Sequence, residues 1–343
     1  MSPYTQKSLL VVCATSFFAQ TDFVEHTMVA PDFDRWMYPY NPVPGVREMG
    51  STFSSIGSGF DTFDERDAQV LLGFITQDIV QTGYGSSQYQ ITEATLEITI
   101  GLDGLILDTT ADPWESYDPN GGVVDGDDGR PMELFGAAFR GGYDGWTFGE
   151  TGPFPFGASI RERNAYPISY LNDEPIDVSN NVLDMFDPLP FAVGAAQELS
   201  HGDVIPTETV MLFDIDVSDP AIQCYLKSGF DQGLVSFVLT SLHEAQQPGV
   251  RKALGLLQPN FHMKESWAVY FGLADAAQFS FTVQFQEPLS IPEDIDSDGI
   301  VGVSDLLSAL ADWGSCSCCI SDLNADGEVD VSDLLSIIAA WSQ

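Results

Sequence analysis

The sequence Asp294-Ile-Asp-Ser-Asp-Gly-Ile-Val-Gly-Val-Ser-Asp305 decides the fold of the C-terminal region, and it recurs as Asp322-Leu-Asn-Ala-Asp-Gly-Glu-Val-Asp-Val-Ser-Asp333. Each copy has the length of a calcium-binding loop, in which positions 1, 3, 5, 7, 9 and 12 supply oxygen ligands. Gly299 and Gly327 stand at position 6, where the loop turns sharply and a residue without Cβ is favoured. The repeat predicts two calcium ions, one in each loop.

The loop positions identify the predicted ligands. In the first loop, carboxylates at positions 1, 3, 5 and 12 come from Asp294, Asp296, Asp298 and Asp305, and the position-7 carbonyl comes from Ile300. In the second loop, the ligands are Asp322, Asn324, Asp326, the carbonyl of Glu328, Asp330 and Asp333. Acidic turns without a metal are the alternative, but unpaired carboxylates at this density would repel one another.

A helix is predicted after each loop but not before the first one. Pro288 and Pro292 interrupt the segment that would have to form the entering helix of an EF-hand. Ser304 is placed to cap the first exiting helix, and apolar residues follow at the spacing of one helical stripe. These residues are Leu306, Leu307, Leu310 and Trp313 in the first copy and Leu334, Leu335, Ile338 and Trp341 in the second.

This tandem of loop and exiting helix, with Asp at the last loop position, closely resembles the type I dockerin family. The resemblance implies a small all-α domain over residues 294–343 that folds around two calcium ions and binds a cohesin domain of another protein. In that family, loop positions 10 and 11 contact the cohesin, and here they are Val303, Ser304, Val331 and Ser332. Their near identity implies that either copy could face the partner. Better-studied members often carry Ser-Thr there, so the class of cohesin stays open.

The charge balance limits the classes of partner. With 51 Asp and Glu against 12 Lys and Arg, the formal net charge is −39. Such a charge repels nucleic acid and anionic membrane surfaces. Nucleic-acid binding is therefore excluded from the predicted functions.

The N-terminus predicts export. Lys7 precedes the apolar stretch 8–19, which is too short to span a bilayer but has the length of a signal-peptide core. We assign residues 1–20 to a signal peptide and expect a secreted or cell-surface protein without a membrane span. Cys13 could instead carry a lipid anchor, but Val12 stands where such a signal requires a small residue.

The remaining cysteines fit an oxidising compartment. Cys316, Cys318 and Cys319 lie between the two loops. Three thiolates without a nearby His are a poor zinc set, so a small disulfide such as Cys316 to Cys319 is favoured, although sequence alone does not give the pairing. Cys224 lies on a predicted apolar helix face and is interpreted as a buried small hydrophobe.

Residues 23–287 are predicted to be mainly β. The segment 91–100 alternates apolar and polar residues, as a half-buried antiparallel strand does, and the segment 279–285 repeats the pattern. Further strands are predicted over 68–75, 208–215 and 234–242.

One helix is predicted after Asp219-Pro220, ending at Gly229. Many strands and few helices indicate an antiparallel, jelly-roll-like β-sandwich, as one elaborated sandwich in preference to two subdomains. A linker over 288–293 joins this region to the C-terminal domain.

A second resemblance concerns this β region. The order of elements here is a strand ending near Asp219, a short helix, a strand from Gly233, and a late Met263-Lys-Glu265 before a closing strand. This order is similar to that of DNRLRE-type β-sandwich domains. That resemblance implies a module of bacterial secreted or surface proteins related to carbohydrate-binding modules. Lys264 stands where that family has Arg.

Gly- and Asp-rich residues 112–150 contain aromatic residues that could stack on sugar rings. These are Trp114, Tyr117, Tyr143 and Trp146. Loop aromatics that fold back onto the core are the favoured interpretation. The stretch Asp125-Gly-Asp-Asp-Gly129 could hold another calcium ion, but a solvated loop is favoured.

Two functions remain, and both use the dockerin as a tether. The histidines, His26, His201, His243 and His262, show neither metal-ligand spacing nor a nucleophile motif, which favours a non-catalytic module that could bind polysaccharide. The alternative is a polysaccharide-degrading hydrolase, because dockerins often accompany glycoside hydrolases and such enzymes need only two carboxylates.

Overall fold

The computed structural model describes residues 22–38, 41, 47–54, 66–117, 123–153, 160–172, 174–245, 257–285, 291–296, 298–315, 318–324 and 327–342. Within these residues the chain is mainly β, with antiparallel sheets and few helices, which confirms the predicted class. The predicted signal peptide 1–20, linker residues 288–290, Asp326 and Cys316 lie outside them.

The elements are labelled in chain order. The described strands are β1 (Asp22–Met28), β2 (Phe33–Met37), β3 (Met49–Ser51), β4 (Gln69–Ile75), β5 (Tyr89–Thr99), β6 (Leu105–Ile106), β7 (Met132–Phe139), β8 (Ala165–Leu171), β9 (Glu174–Asp177), β10 (Ala192–Val193), β11 (Val204–Ile205), β12 (Val210–Asp214), β13 (Leu234–Ser241), β14 (Asn260–His262), β15 (Gln278–Phe285), β16 (Gly314–Ser315) and β17 (Glu328–Val329). The described α-helices are α1 (Gly145–Phe148), α2 (Pro220–Gln232), α3 (Trp267–Tyr270), α4 (Val303–Ala311) and α5 (Val331–Ala339). Short 3₁₀ turns cover Ser86–Gln88, Trp114–Ser116 and Ile160–Glu162.

One sheet has the strand order β1-β15-β5-β12. In β5, Leu96 and Ile98 are buried while Glu97 between them is exposed, because successive side chains of a strand point to opposite faces. Phe279 and Phe281 of β15 are buried in the same way. The two alternating strands predicted from sequence are therefore confirmed.

The larger sheet has the order β2-β4-β13-β7-β8-β9, with β10 paired to β7. Strand β13 is buried at every position because hydrophobic clusters cover both faces of the sheet. Phe237 packs in the main core, whereas Val238 packs with Leu71 in a smaller cluster on the opposite face. The strands predicted over 68–75, 208–215 and 234–242 are β4, β12 and β13.

Aromatic side chains join the two sheets into one core. The ring of Phe279 lies 5.3 Å from that of Phe74 on β4 and 5.2 Å from that of Phe237 on β13, measured between centroids. Helix α2 contributes Phe230, whose ring lies 4.8 Å from Phe281. Burial of large aromatic surfaces is the main favourable term for such a core.

Helix α2 begins as predicted but ends later. Asp219 caps it and Pro220 is its first residue. It continues past Gly229 to Gln232 and ends at Gly233, which has a left-handed φ of +80°. Gly229 instead allows close packing, since a Cβ there would meet Val235 at 3.0 Å.

The C-terminal region has its own small core. Ile295, Val301, Ala309, Val329 and Ile337 are buried together, and α4 contacts α5. Strands β16 and β17 pair between the two helices.

Two disulfides involve this region. Cys224 of α2 is bonded to Cys318, with a Cα–Cα distance of 5.7 Å, so the interpretation of Cys224 as a buried hydrophobe is wrong. Cys319 is also disulfide-bonded. Its predicted bond to Cys316 stays a prediction, because Cys316 lies outside the described residues.

We predict that Phe279→Ala lowers the free energy of unfolding by about 3–5 kcal/mol, because it leaves a cavity where both sheets and α2 meet. Chemical denaturation of the full chain measures this loss. The control is Phe271→Ala, which removes an exposed ring and should change stability by less than about 0.5 kcal/mol. Equal losses for the two variants would contradict the shared core.

Candidate functional site

The first predicted calcium loop is held by hydrogen bonds to its own backbone. The buried carboxylate of Asp294 accepts the N–H groups of Asp298 (3.1 Å) and Gly299 (2.8 Å). The carboxylate of Asp298 accepts the N–H of Ile300 (2.8 Å). Gly299 has a φ of +88°, which a residue without Cβ adopts at no steric cost.

The last position of this loop connects it to the helix that follows. Asp305 is fully buried and accepts the N–H groups of Asp296 (3.2 Å) and Gly302 (2.7 Å). One carboxylate oxygen each from Asp294, Asp296 and Asp305 lies within 4.8 Å of the other two. The fold therefore brings three predicted ligands together.

The second loop repeats this arrangement. Asp333 is fully buried and accepts the N–H groups of Leu323 (2.9 Å) and Asp330 (2.9 Å). The carboxylate of Asp322 accepts the N–H of Gly327 (2.9 Å). Equivalent aspartates thus have equivalent partners in both loops.

The other predicted ligands of the second loop are closer to solvent. Asn324 and Glu328 are exposed, and Glu328 belongs to β17. Asp330 caps α5 by accepting the N–H of Ser332 (2.6 Å). Asp326 lies outside the described residues.

The chemistry of the two loops suits a hard cation. Their donors are carboxylate, amide and backbone oxygens, which calcium prefers over sulfur or nitrogen. No basic residue follows Lys264 in the chain. The carboxylates of the loops therefore have no Lys or Arg of their own region to neutralise them.

The helices differ from the sequence prediction in two respects. The predicted single stripe is wrong: Leu306 and Leu334 pack against the small core, whereas Leu307 and Leu335 point to solvent. The predicted cap is also wrong, because Gly302 is the N-cap of α4 and Ser304 lies inside the helix. Adjacent residues are about 100° apart on a helix, so one of each Leu-Leu pair must face outward.

An apolar surface repeats on the two helices, and we call it the docking face. Leu307 is 60% exposed and its equivalent Leu335 is 58% exposed. The docking face consists of Val303, Leu307, Leu310 and Trp313 on and after α4, and Val331, Leu335, Ile338 and Trp341 on and after α5. The predicted partner-binding residues Ser304 and Ser332 are exposed beside it.

A separate acidic cluster lies in the β region. Asp34 of β2 is 1% exposed and lies with Glu150 and Glu265 in a group whose oxygens are within 4.8 Å of one another. The backbone N–H of Lys264 donates to Asp34 (2.7 Å), and its ammonium group pairs with Glu150. Burial raises the pKa of Asp34 to about 7, and the charge of Glu265 adds to this effect. Because Asp34 is enclosed, a polysaccharide has no access to it.

The loop aromatics singled out in the sequence do not form a platform. Tyr117 donates a hydrogen bond to Asp112 (2.8 Å) and lies under the guanidinium of Arg130. Tyr143 packs against Phe148. Trp114 is half-buried, while Trp146 is 44% exposed. Most of these rings therefore pack against other residues of the protein, which is the interpretation that the sequence favoured.

A different aromatic group is exposed, and we call it the aromatic tip. It comprises Trp267, Tyr270 and Phe271, whose ring centroids are 5.1–5.9 Å apart. Tyr270 is 78% exposed. The sequence signal for this group is the high density of aromatic residues in Trp267-Ala-Val-Tyr-Phe271. A search for the alternating pattern of strands does not detect it.

No protein-family model matches the chain, and no curated protein shows significant similarity to it. Within the described residues, none of the helices combines the length and the apolar character that a bilayer crossing requires. The two family resemblances therefore rest on the residues quoted for them.

We predict that Asp34→Asn changes how stability depends on pH. A carboxyl whose pKa is raised in the folded state stabilises the fold below its ordinary pKa of 3.8, and this contribution is lost as pH rises through about 7. Relative to the variant, the native chain should lose a few kcal/mol of unfolding free energy, at most, between about pH 4 and 7. Denaturant titrations at several pH values measure it.

The control for this experiment is Asp103→Asn, at an exposed aspartate. A constant stability difference between the native chain and Asp34→Asn across this range would show that burial does not hold a proton on Asp34.

Proposed function

We propose that this chain is a secreted, non-catalytic surface protein that attaches through a calcium-dependent dockerin to a cohesin-bearing partner. Its β region would then be the displayed module, a jelly-roll-like sandwich of the DNRLRE type. The single observation that carries the proposal is the docking face, an apolar surface repeated at equivalent positions of two helices beside two oxygen-rich loops.

The loops and the docking face are mechanically connected. Asp305 and Asp333 each close a loop and also lie in the first turn of α4 or α5. A cation bound at either carboxylate would fix where the following helix starts. Calcium binding is therefore coupled to the position of the docking face, as metal sites in small domains are coupled to folding.

The exposure of the docking face supports a protein partner. Large apolar side chains gathered on one surface are uncommon on monomeric soluble proteins and mark interaction sites. The repeat gives each helix the same set, Val, Leu, Leu or Ile, and Trp. A partner that fits one helix would fit the other after a rotation.

Polysaccharide is the proposed ligand of the β region. The aromatic tip offers rings that could pack against the apolar faces of sugars, and its Tyr hydroxyl could donate a hydrogen bond. An uncharged polysaccharide is favoured over an acidic one, because the chain carries a net charge of −39.

Polysaccharide hydrolysis is the alternative. It requires two carboxylates flanking an accessible bond. The described cluster of Asp34, Glu150 and Glu265 does not meet this requirement, because Asp34 is enclosed. This cluster therefore does not support hydrolysis.

We predict that the full chain binds two calcium ions in these loops and gains helical signal when they bind. Asp294→Ala and Asp322→Ala should each remove one ion, since each deletes the first ligand of its loop. Calorimetry gives the stoichiometry and far-ultraviolet circular dichroism gives the helix content, before and after chelator.

The matched control is Glu328→Ala, which removes an exposed carboxylate but leaves the position-7 carbonyl in place. This variant should still bind two ions. A helical signal that is indifferent to chelator, or an Asp294→Ala chain that still binds two ions, would contradict the calcium assignment.

We predict that the full chain captures a cohesin-domain protein from an extract of its source organism in calcium but not in chelator. Leu307→Glu or Leu335→Glu alone should leave capture largely intact, because the other helix still presents its face. The double variant should reduce capture at least tenfold, by mass spectrometry of the bound protein.

Leu273→Glu is the control for this pull-down, since it places the same charge on an exposed leucine outside the docking face. Retention by the double variant, or capture independent of calcium, would refute the docking proposal.

A further inference from the structure

A group of side chains of metal-ligating types lies in the β region, outside the two C-terminal loops. Asp108 follows β6, His201 precedes β11, and β6 pairs with β11. Asp127 comes from the loop before β7. Three separate segments of the chain therefore meet at one point, which a single local run of acidic residues would not do.

The imidazole of His201 lies between two carboxylates. Its Nδ1 is 3.6 Å from Oδ1 of Asp108, and its Nε2 is 3.4 Å from Oδ2 of Asp127. One ligand atom from each of the three side chains lies within 4.8 Å of the other two. One ion takes one imidazole nitrogen, and ligand atoms bound tetrahedrally at about 2.0–2.2 Å lie roughly 3.3–3.6 Å apart, so binding would draw the three side chains together by up to about 1.5 Å.

Asp108 supplies independent evidence for a ligand. Its side chain is fully buried, and Oδ1 accepts hydrogen bonds from the N–H (2.9 Å) and the hydroxyl (2.8 Å) of Thr110. Its other oxygen, Oδ2, has no hydrogen-bond partner among the described residues. Leaving a buried carboxylate oxygen unsatisfied is costly, and a cation is the partner that satisfies it most strongly.

The guanidinium of Arg130 does not fill this role. Arg130 pairs with Asp112 (2.9 Å) and with Asp125. Among the described residues, the ion pairs of Asp108 and Asp127 are made with His201. The cluster therefore joins one buried carboxylate to a carboxylate and an imidazole that are both partly exposed, and Arg130 pairs with none of the three among the described residues.

We propose that Asp108, Asp127 and His201 bind one divalent first-row metal cation of the zinc class. A set of one imidazole nitrogen and carboxylate oxygens suits Zn²⁺, whereas calcium takes oxygen ligands alone. The ion would tie the loop that carries Asp127 to the pair of strands β6 and β11. The side chain of His201 is 35% exposed, so an ion can enter from solvent.

The test is calorimetric titration of the full chain with ZnCl₂ under non-reducing conditions, in excess calcium so that the C-terminal loops are occupied. The native chain should bind one zinc ion at this site. His201→Ala should weaken that binding at least tenfold. The control His26→Ala, which removes an exposed histidine of β1, should leave it unchanged.

A thermal unfolding scan with and without zinc supplies the second measurement. Zinc should raise the unfolding temperature of the native chain and of His26→Ala but not of His201→Ala. Asp108→Asn should also abolish the shift; because that residue is buried and its variant could fail to fold, the decision rests on His201→Ala. Equal zinc affinity for the His201→Ala and native chains, or no zinc binding by the native chain, would overturn the proposal.

Discussion

A shortage of positive charge is the constraint on which much of this structure depends. The chain has 12 Lys and Arg for 51 Asp and Glu, and Arg35, Arg66 and Arg163 are fully buried. Arg66 pairs with the buried Glu133 (2.6 Å). Arg35 donates to the carbonyl of Gly149 (3.0 Å), and a buried guanidinium needs such partners. These buried arginines are paired inside the fold, so their positive charges are not available to the carboxylates at the surface.

The carboxylates are stabilised in other ways. Backbone N–H groups donate to Asp294 and Asp305, which orders the first loop around charged oxygens. Burial favours a bound proton on Asp34. Divalent cations would complete this set at the loops and at Asp108.

Local patterns in the sequence predicted local structure well. Alternation identified β5 and β15, Asp219-Pro220 marked the start of α2, and loop spacing marked the aspartates that the fold gathers. Predictions were wrong where tertiary contacts determine which of two adjacent residues is buried. Burial of Leu306 instead of Leu307 depends on the position of the small core, which no local pattern gives.

Long-range contacts were beyond sequence reasoning for a similar reason. Neither the approach of His201 to Asp108 nor the bond between Cys224 and Cys318 leaves a spacing signature, because the fold and not the chain sets these distances. The aromatic tip was missed because its residues lie in a short helix and turn, outside the alternation that identified strands.

The disulfide between Cys224 and Cys318 changes how force would pass through the molecule. A pull on the docking face would reach α2 through a covalent bond, and from there the aromatic core of the two sheets through Phe230. The peptide segment between the β region and the loop that begins at Asp294 would then carry only part of the load. A protease that cut this segment would leave the two parts joined until the disulfide was reduced.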